Sequence, residues 1–134
     1  MEHYLFLNSA DSEKQHPDNT FADFTVELPR TYLLDGVWEC CLREVETDVK
    51  EDFFYVCTNI CQESYVENTL FPVLRAVTKS KSTTKYYSFD DPFYFKLTVD
   101  TVNKVRIFIR GRGLRPISSI GSVLRCTLHI RKWT

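Results

Sequence analysis

Apolar and polar side chains alternate one by one through much of this chain. Phe24, Val26 and Leu28 alternate with Asp23, Thr25 and Glu27, the period of a half-buried strand, and Pro29 is expected to end it. After the turn signal Asp35-Gly36, Trp38, Cys40 and Leu42 alternate with Glu39, Cys41 and Arg43. Phe53 to Thr58 is a short aromatic and β-branched run, and Leu70 to Val77 continues the theme with Pro72 marking an edge or a bulge. Tyr86 to Phe89 and Phe93 to Val99 flank a turn at Asp90-Asp91-Pro92. Val105, Ile107 and Ile109 alternate with Lys104, Arg106 and Arg110; Leu124, Cys126, Leu128 and Ile130 alternate with Arg125, Thr127, His129 and Arg131. No long window has helical spacing, and at most Cys61 to Asn68 forms a turn or two of helix. About eight short strands between turn signals predict an all-β protein, a single jelly-roll β-sandwich. Trp38, Phe24, Val26, Ile107, Ile109, Leu124, Leu128 and Ile130 are its expected core.

Composition narrows the class. A chain of 134 residues suits one domain, residues 1–134, with no linker or repeat. Ten Phe and seven Tyr exclude disorder as the default. The polar stretches Asn8 to Thr20 and Thr78 to Lys85 are expected to be exposed loops, with Lys79-Ser80-Lys81-Ser82 a solvated tip. No apolar run approaches a membrane span, and Met1 to Tyr4 lacks the features of a signal peptide. No Asn-x-Ser/Thr acceptor occurs either, so the expectation is a soluble protein made and kept inside a cell.

The search for chemistry is short. Cys40, Cys41, Cys57, Cys61 and Cys126 are odd in number, which fits reduced thiols better than disulfides. Cys57-x3-Cys61 and Cys126-x2-His129 lack zinc partners at the usual spacing, so the cysteines are expected to act as small buried hydrophobes. His129 falls on the outward side of the last strand, where a solvated or salt-bridged role is expected; His3 and His16 fall at the first strand and in a polar loop. Nucleophile elbows, phosphate-binding glycine loops and His-Glu-x-x-His pairs are missing, so neither an enzyme nor a cofactor is expected. Arg110-Gly111-Arg112-Gly113-Leu114-Arg115 has the look of an RNA-binding box, but a single copy between two strands is better explained as a turn.

Charge is uneven along the chain. Residues 101–134 hold eight basic side chains (Lys104, Arg106, Arg110, Arg112, Arg115, Arg125, Arg131, Lys132) and no acid, in a chain of net charge -1. They alternate with core positions and so form a face of the fold. Three readings stand: balance by acids of the same chain, complementarity between subunits, or nucleic acid, in that order.

Several stretches, in order, resemble one family. Leu5-Phe6-Leu7-Asn8-Ser9, Pro17-Asp18-Asn19-Thr20 and Phe24-Thr25-Val26-Glu27-Leu28-Pro29 are similar to the opening of a capsid protein of Polinton (Maverick) elements and adintoviruses. Leu34-Asp35-Gly36-Val37-Trp38-Glu39-Cys40-Cys41-Leu42-Arg43-Glu44 fits the family's Leu-x-Gly-x-Trp-Glu segment. Phe54 to Ile60, Pro72 to Val77, Val105 to Arg110 and Thr127 to Arg131 resemble its later strands. Family members carry a long segment between the Trp-Glu and Tyr-Val-Cys strands; here that segment is short, so this chain resembles a compact version.

The resemblance implies a penton-like minor capsid protein, five copies closing each vertex of an icosahedral double-stranded DNA virus beside a separate major capsid protein. It implies a virion protein made in the host cell and assembled in the nucleus. From the residues themselves, a membrane is not expected as a partner and nucleic acid is the least favoured one. The alternatives are a cement or spike-base virion protein, or a cellular β-sandwich protein-binding module. Arg112 and Arg115, before the last strand, and Trp133, near the end, are the expected contacts of a homo-oligomer, because aromatics beside arginines make interface hot spots.

Overall fold

Two strands near the C-terminus carry the core. In the computed structural model, which describes residues 1–12, 16–78, 86–117 and 123–133, Val105, Ile107 and Ile109 of β10 (Thr101–Arg110) are buried. Leu124, Cys126, Leu128 and Ile130 of β11 (Leu124–Lys132) are buried too. Their alternation sets one side of each strand against the other sheet. The Lys79-Ser80-Lys81-Ser82 tip lies outside the described residues.

The remaining strands are β1 (Glu2–Asn8), β2 (Asp23–Leu33), β3 (Trp38–Thr47), β4 (Phe53–Thr58), β5 (Ser64–Val66), β6 (Thr69–Phe71), β7 (Val73–Thr78), β8 (Tyr86–Ser88) and β9 (Phe95–Lys96). One sheet is ordered β1-β11-β3-β8, with β9 also on β3, and the other β2-β10-β4-β7. All pairings are antiparallel. The chain crosses between sheets at β1–β2, β2–β3, β3–β4, β7–β8, β9–β10 and β10–β11. This order is the single jelly roll. Leu42, Val45, Phe24, Phe54, Val56 and Leu74, with Val105, Ile107 and Ile109 of β10 and Leu124, Cys126, Leu128 and Ile130 of β11, fill the space between the sheets.

Strict alternation fails at a few positions, each for a local reason. In β3 the inward set is Trp38, Cys40 and Leu42, then Val45 and Thr47. Thr127 pairs with Glu44 and Leu128 with Leu42, so Arg43 is an extra residue that shifts the phase by one. Pro29 does not end β2 as expected. Val102 pairs with Tyr32 and Lys104 with Glu27, so residues 28–31 bulge opposite Asn103, and an edge strand tolerates proline there. Val26, expected in the core, is only half-buried because it lies on that edge strand. Pro72 splits the Leu70–Val77 run into β6 and β7.

Cys61 to Asn68 is not helical. Ser64–Val66 pairs with Thr69–Phe71 across Glu67-Asn68, both at positive φ (46° and 69°), the geometry of a two-residue hairpin turn. This β5–β6 arm lies over the second sheet, where Phe71 meets Phe108 edge-on at 5.9 Å and Val66 packs on the Cys57–Val73–Phe108 cluster. Glu67 accepts the Gly113 N–H through both carboxylate oxygens (3.0 and 2.9 Å). Short helical pieces do occur, at Ser9–Ser12 and Arg112–Leu114. Gly36, at φ +90°, turns the chain between β2 and β3 where a side chain would meet Lys132.

Arg75 of β7 clasps the two sheets together on one side. Its guanidinium lies 4.2 Å from the Phe89 ring centroid and 4.1 Å from that of Phe93. It also donates to the Asp91 carbonyl (2.8 Å), fixing the Asp90-Asp91-Pro92 turn. Replacing Arg75 by Met keeps much of the stem's bulk and removes the fork. Stability is expected to fall by about 1–2 kcal/mol in urea titrations, and an unchanged midpoint would mean the clasp is ornamental.

Candidate subunit interface

The basic C-terminal strands lie beside the acidic early ones. Arg106 holds Asp23 with two bonds (2.9 and 2.7 Å), Arg131 donates to Glu39 at 2.7 Å, and Arg125 stands 3.6 Å from Glu46. Arg125–Glu46 and Arg131–Glu39 are cross-strand neighbours, and Lys104 pairs in register with Glu27. Balance within the chain therefore accounts for much of the uneven charge. Complementarity between subunits loses its main motive.

His129 is on the outward side of β11, as expected, and bonded to a carboxylate, but it is buried rather than solvated. Its Nε2 lies 2.7 Å from Glu2 and its Nδ1 2.7 Å from the Tyr94 hydroxyl. Tyr4 stacks on one face of the ring at 4.6 Å. Arg131 lies 3.6 Å from the Tyr94 centroid, so this outer face is a continuous aromatic and charged layer. Burial pushes the Tyr94 hydroxyl up to about 12. Beyond it, Phe6 and Tyr86 flank a groove of about 320 Å³ floored by Glu44, Glu46, Arg125 and Thr127.

The three expected contact residues do not meet. Arg112 lies over Phe53 at 4.6 Å, and the Arg115 side chain donates to the Arg112 carbonyl at 3.1 Å, so these two share one end of the sandwich. Trp133 donates its N–H to Val37 at 2.8 Å and has Lys96 4.8 Å from its ring. The register puts Lys132 beside Trp38 and Leu124 beside Thr47, at opposite ends of β3. A nine-residue strand spans about 30 Å. Trp133, 52% exposed, lies with exposed Val37 at the far end from the arginines. Other exposed apolar side chains escaped the sequence reading: Phe6 at 76%, Leu33 at 79%, and the Tyr65–Leu70 pair on the arm. Tyr4 and Phe6 carried a signal, since they fill the outward slots of an alternating strand where polar residues belong.

All five cysteines are free and buried. Burial pushes the Cys126 thiol up to about 12; burial does the same to Cys57, against the opposing pull of Arg110 and Arg106. Cys40 is raised by its contact with the Cys61 thiol and by burial, and Cys41 by burial. Such thiols stay protonated near neutrality and are poor nucleophiles. Among the described residues no three His, Cys, Asp or Glu side chains converge to hold a metal ion.

No family model matches the chain, and no curated protein does. Among solved structures it is similar to the core of the Drosophila protein NLP, whose structure was described in terms of pentamer formation and histone binding. The two superpose with a TM-score of 0.40 and 14% identity, over 99% of this chain and 100% of the other. Likeness at that level transfers neither assembly nor ligand.

Proposed function

We propose that this chain is a structural virion protein, a penton-like minor capsid protein that forms the vertices of an icosahedral double-stranded DNA virus capsid. The observation that carries the proposal is the coincidence of the capsid-like stretches with the strands of a single jelly roll. Leu5-Phe6-Leu7-Asn8 lies in β1, Phe24 to Pro29 in β2, Trp38 to Glu44 in β3 and Phe54 to Thr58 in β4. Val73 to Val77 lies in β7, Val105 to Arg110 in β10 and Thr127 to Arg131 in β11. Exposed apolar side chains at Phe6, Leu33, Val37 and Trp133 supply surface for contacts with neighbours. In this proposal the partners are further copies of the chain, five to a ring, and a major capsid protein; the protein is found in the virion after assembly in the nucleus.

Light scattering on the purified protein tests the ring. Because the charged pairs close within the chain, association is expected to rest on apolar contact and to persist through a salt series. Five chains of 15.8 kDa each are the expected mass. A monomer at every concentration and salt would reject autonomous assembly. A double Arg112→Glu, Arg115→Glu variant that keeps the ring would exclude that end of the sandwich from the seam.

A further inference from the structure

The edges of the sandwich are not alike. β2 carries Pro29 and the bulge over residues 28–31. β7 follows Pro72, slips register between Val56 and Cys57 of its partner, and is clasped by Arg75. β8 and β9 are short pieces interrupted by Asp90-Asp91-Pro92. β1 has none of these devices. Glu2–Asn8 runs seven residues without proline, lysine or bulge, in unbroken register with β11. Natural edge strands are normally blunted against pairing with another chain, and a flat, apolar, unblunted edge is a template for a further strand. Among the described residues, no backbone bond reaches the far side of β1. Tyr4 and Phe6, 49% and 76% exposed, stand on its outer face.

We propose that β1 pairs edge to edge with β1 of a second copy, antiparallel and centred on Leu5. The strand is self-complementary in that register. Phe6 falls opposite Tyr4 of the second copy, and Tyr4 opposite its Phe6, giving two cross-strand aromatic pairs on the outer face. These extend the layer in which Tyr4 stacks on His129. On the inner face Leu5 meets Leu5 of the second copy, continuing the core row of Leu5 and Leu7. Glu2 falls opposite Asn8, so no like charges face each other. Centring the pair on Phe6 instead would set Tyr4 against Asn8 and lose both mixed aromatic pairs. The contact is two-fold and isologous, and stands independently of a five-fold ring. One strand pair buries less than the roughly 1,200–2,000 Å² of a standard interface, so by itself it gives a concentration-dependent association.

Hydrogen exchange and cross-linking test the pairing. In the intact protein, β1 amides are expected to gain protection as concentration rises. Phe6→Lys places an edge lysine at an already exposed position, and is expected to weaken the association about tenfold and remove that protection, while Phe6→Tyr retains both. Mixing a Tyr4→Cys variant with a Phe6→Cys variant should yield far more oxidised dimer than either variant alone. The proposal is overturned if β1 exchange is independent of concentration, if Phe6→Lys associates like the wild type, or if the mixture cross-links no better than its components. Copy number reads the ring separately, so either idea can fail without the other.

Discussion

Replacing Ile107 by Ala is expected to lower stability by about 2–5 kcal/mol, the cost of a large-to-small change in a core that cannot collapse onto the gap. Ile107 is 0% exposed and stands on a central strand between β2 and β4, facing the opposite sheet. Its register partners are Phe24 on one side and Thr58 on the other, and both are fully buried as well. The hole therefore opens where backbone on two sides is fixed by ladder hydrogen bonds. Urea denaturation reads the change as a lower midpoint at unaltered slope. A loss under half a kilocalorie would mean that Ile107 faces solvent and that the strand register is wrong by one residue.

Alkali is expected to destabilise the fold well before backbone chemistry intervenes. The Cys57 and Cys126 thiols are raised from 9.0 to about 12. Below pH 9 both thiols are protonated in the folded and unfolded chain, and the full stability is present. Between pH 9 and about 12 the unfolded chain ionises while the folded one resists, so stability falls across that window as pH rises. Each pH unit in it costs on the order of 1.4 kcal/mol per fully buried thiol, with Tyr94 adding in the same direction. A Cys57→Ala, Cys126→Ala variant should show a shallower alkaline slope in denaturant titrations. Equal slopes for variant and wild type would show that these thiols already meet solvent.

Much of the jelly roll was legible because burial on one face forces a period of two. β10 and β11 are the clearest cases: Val105, Ile107 and Ile109 and the four inward residues of β11 were identified and are buried. Val102, also in the core, lies across the bulge at Asn103 and was missed. The failures come from tertiary context that periodicity does not contain. Nothing in the sequence around Arg43 announces an extra residue, since the bulge depends on how β11 pairs with β3. Phe108 reads as a solvent-side position of β10, yet it is buried because the β5–β6 arm folds back over it. That arm was hidden in turn, because Glu67-Asn68 is a less familiar turn pair than Asn-Gly. His129 was placed on the correct face, but its burial depends on Tyr94 and Glu2, both remote in sequence. The charge asymmetry was real, and its meaning lay in strand order: β11 lies against β3, so arginines late in the chain meet glutamates early in it.

The interface candidates show the same limit. Arg112 and Arg115 share one end of the sandwich and Trp133 occupies the other, a separation set by the direction of β11 rather than by residue type. Exposed Leu33 stands out only once the sheet faces are known, whereas Phe6 is already marked by its outward slot in an alternating strand. Assembly is the central claim, and copy number tests it most directly. Native mass spectrometry of the full 15.8 kDa chain should give species in multiples of five chains; monomers and dimers alone, at every concentration, would contradict the penton-like account.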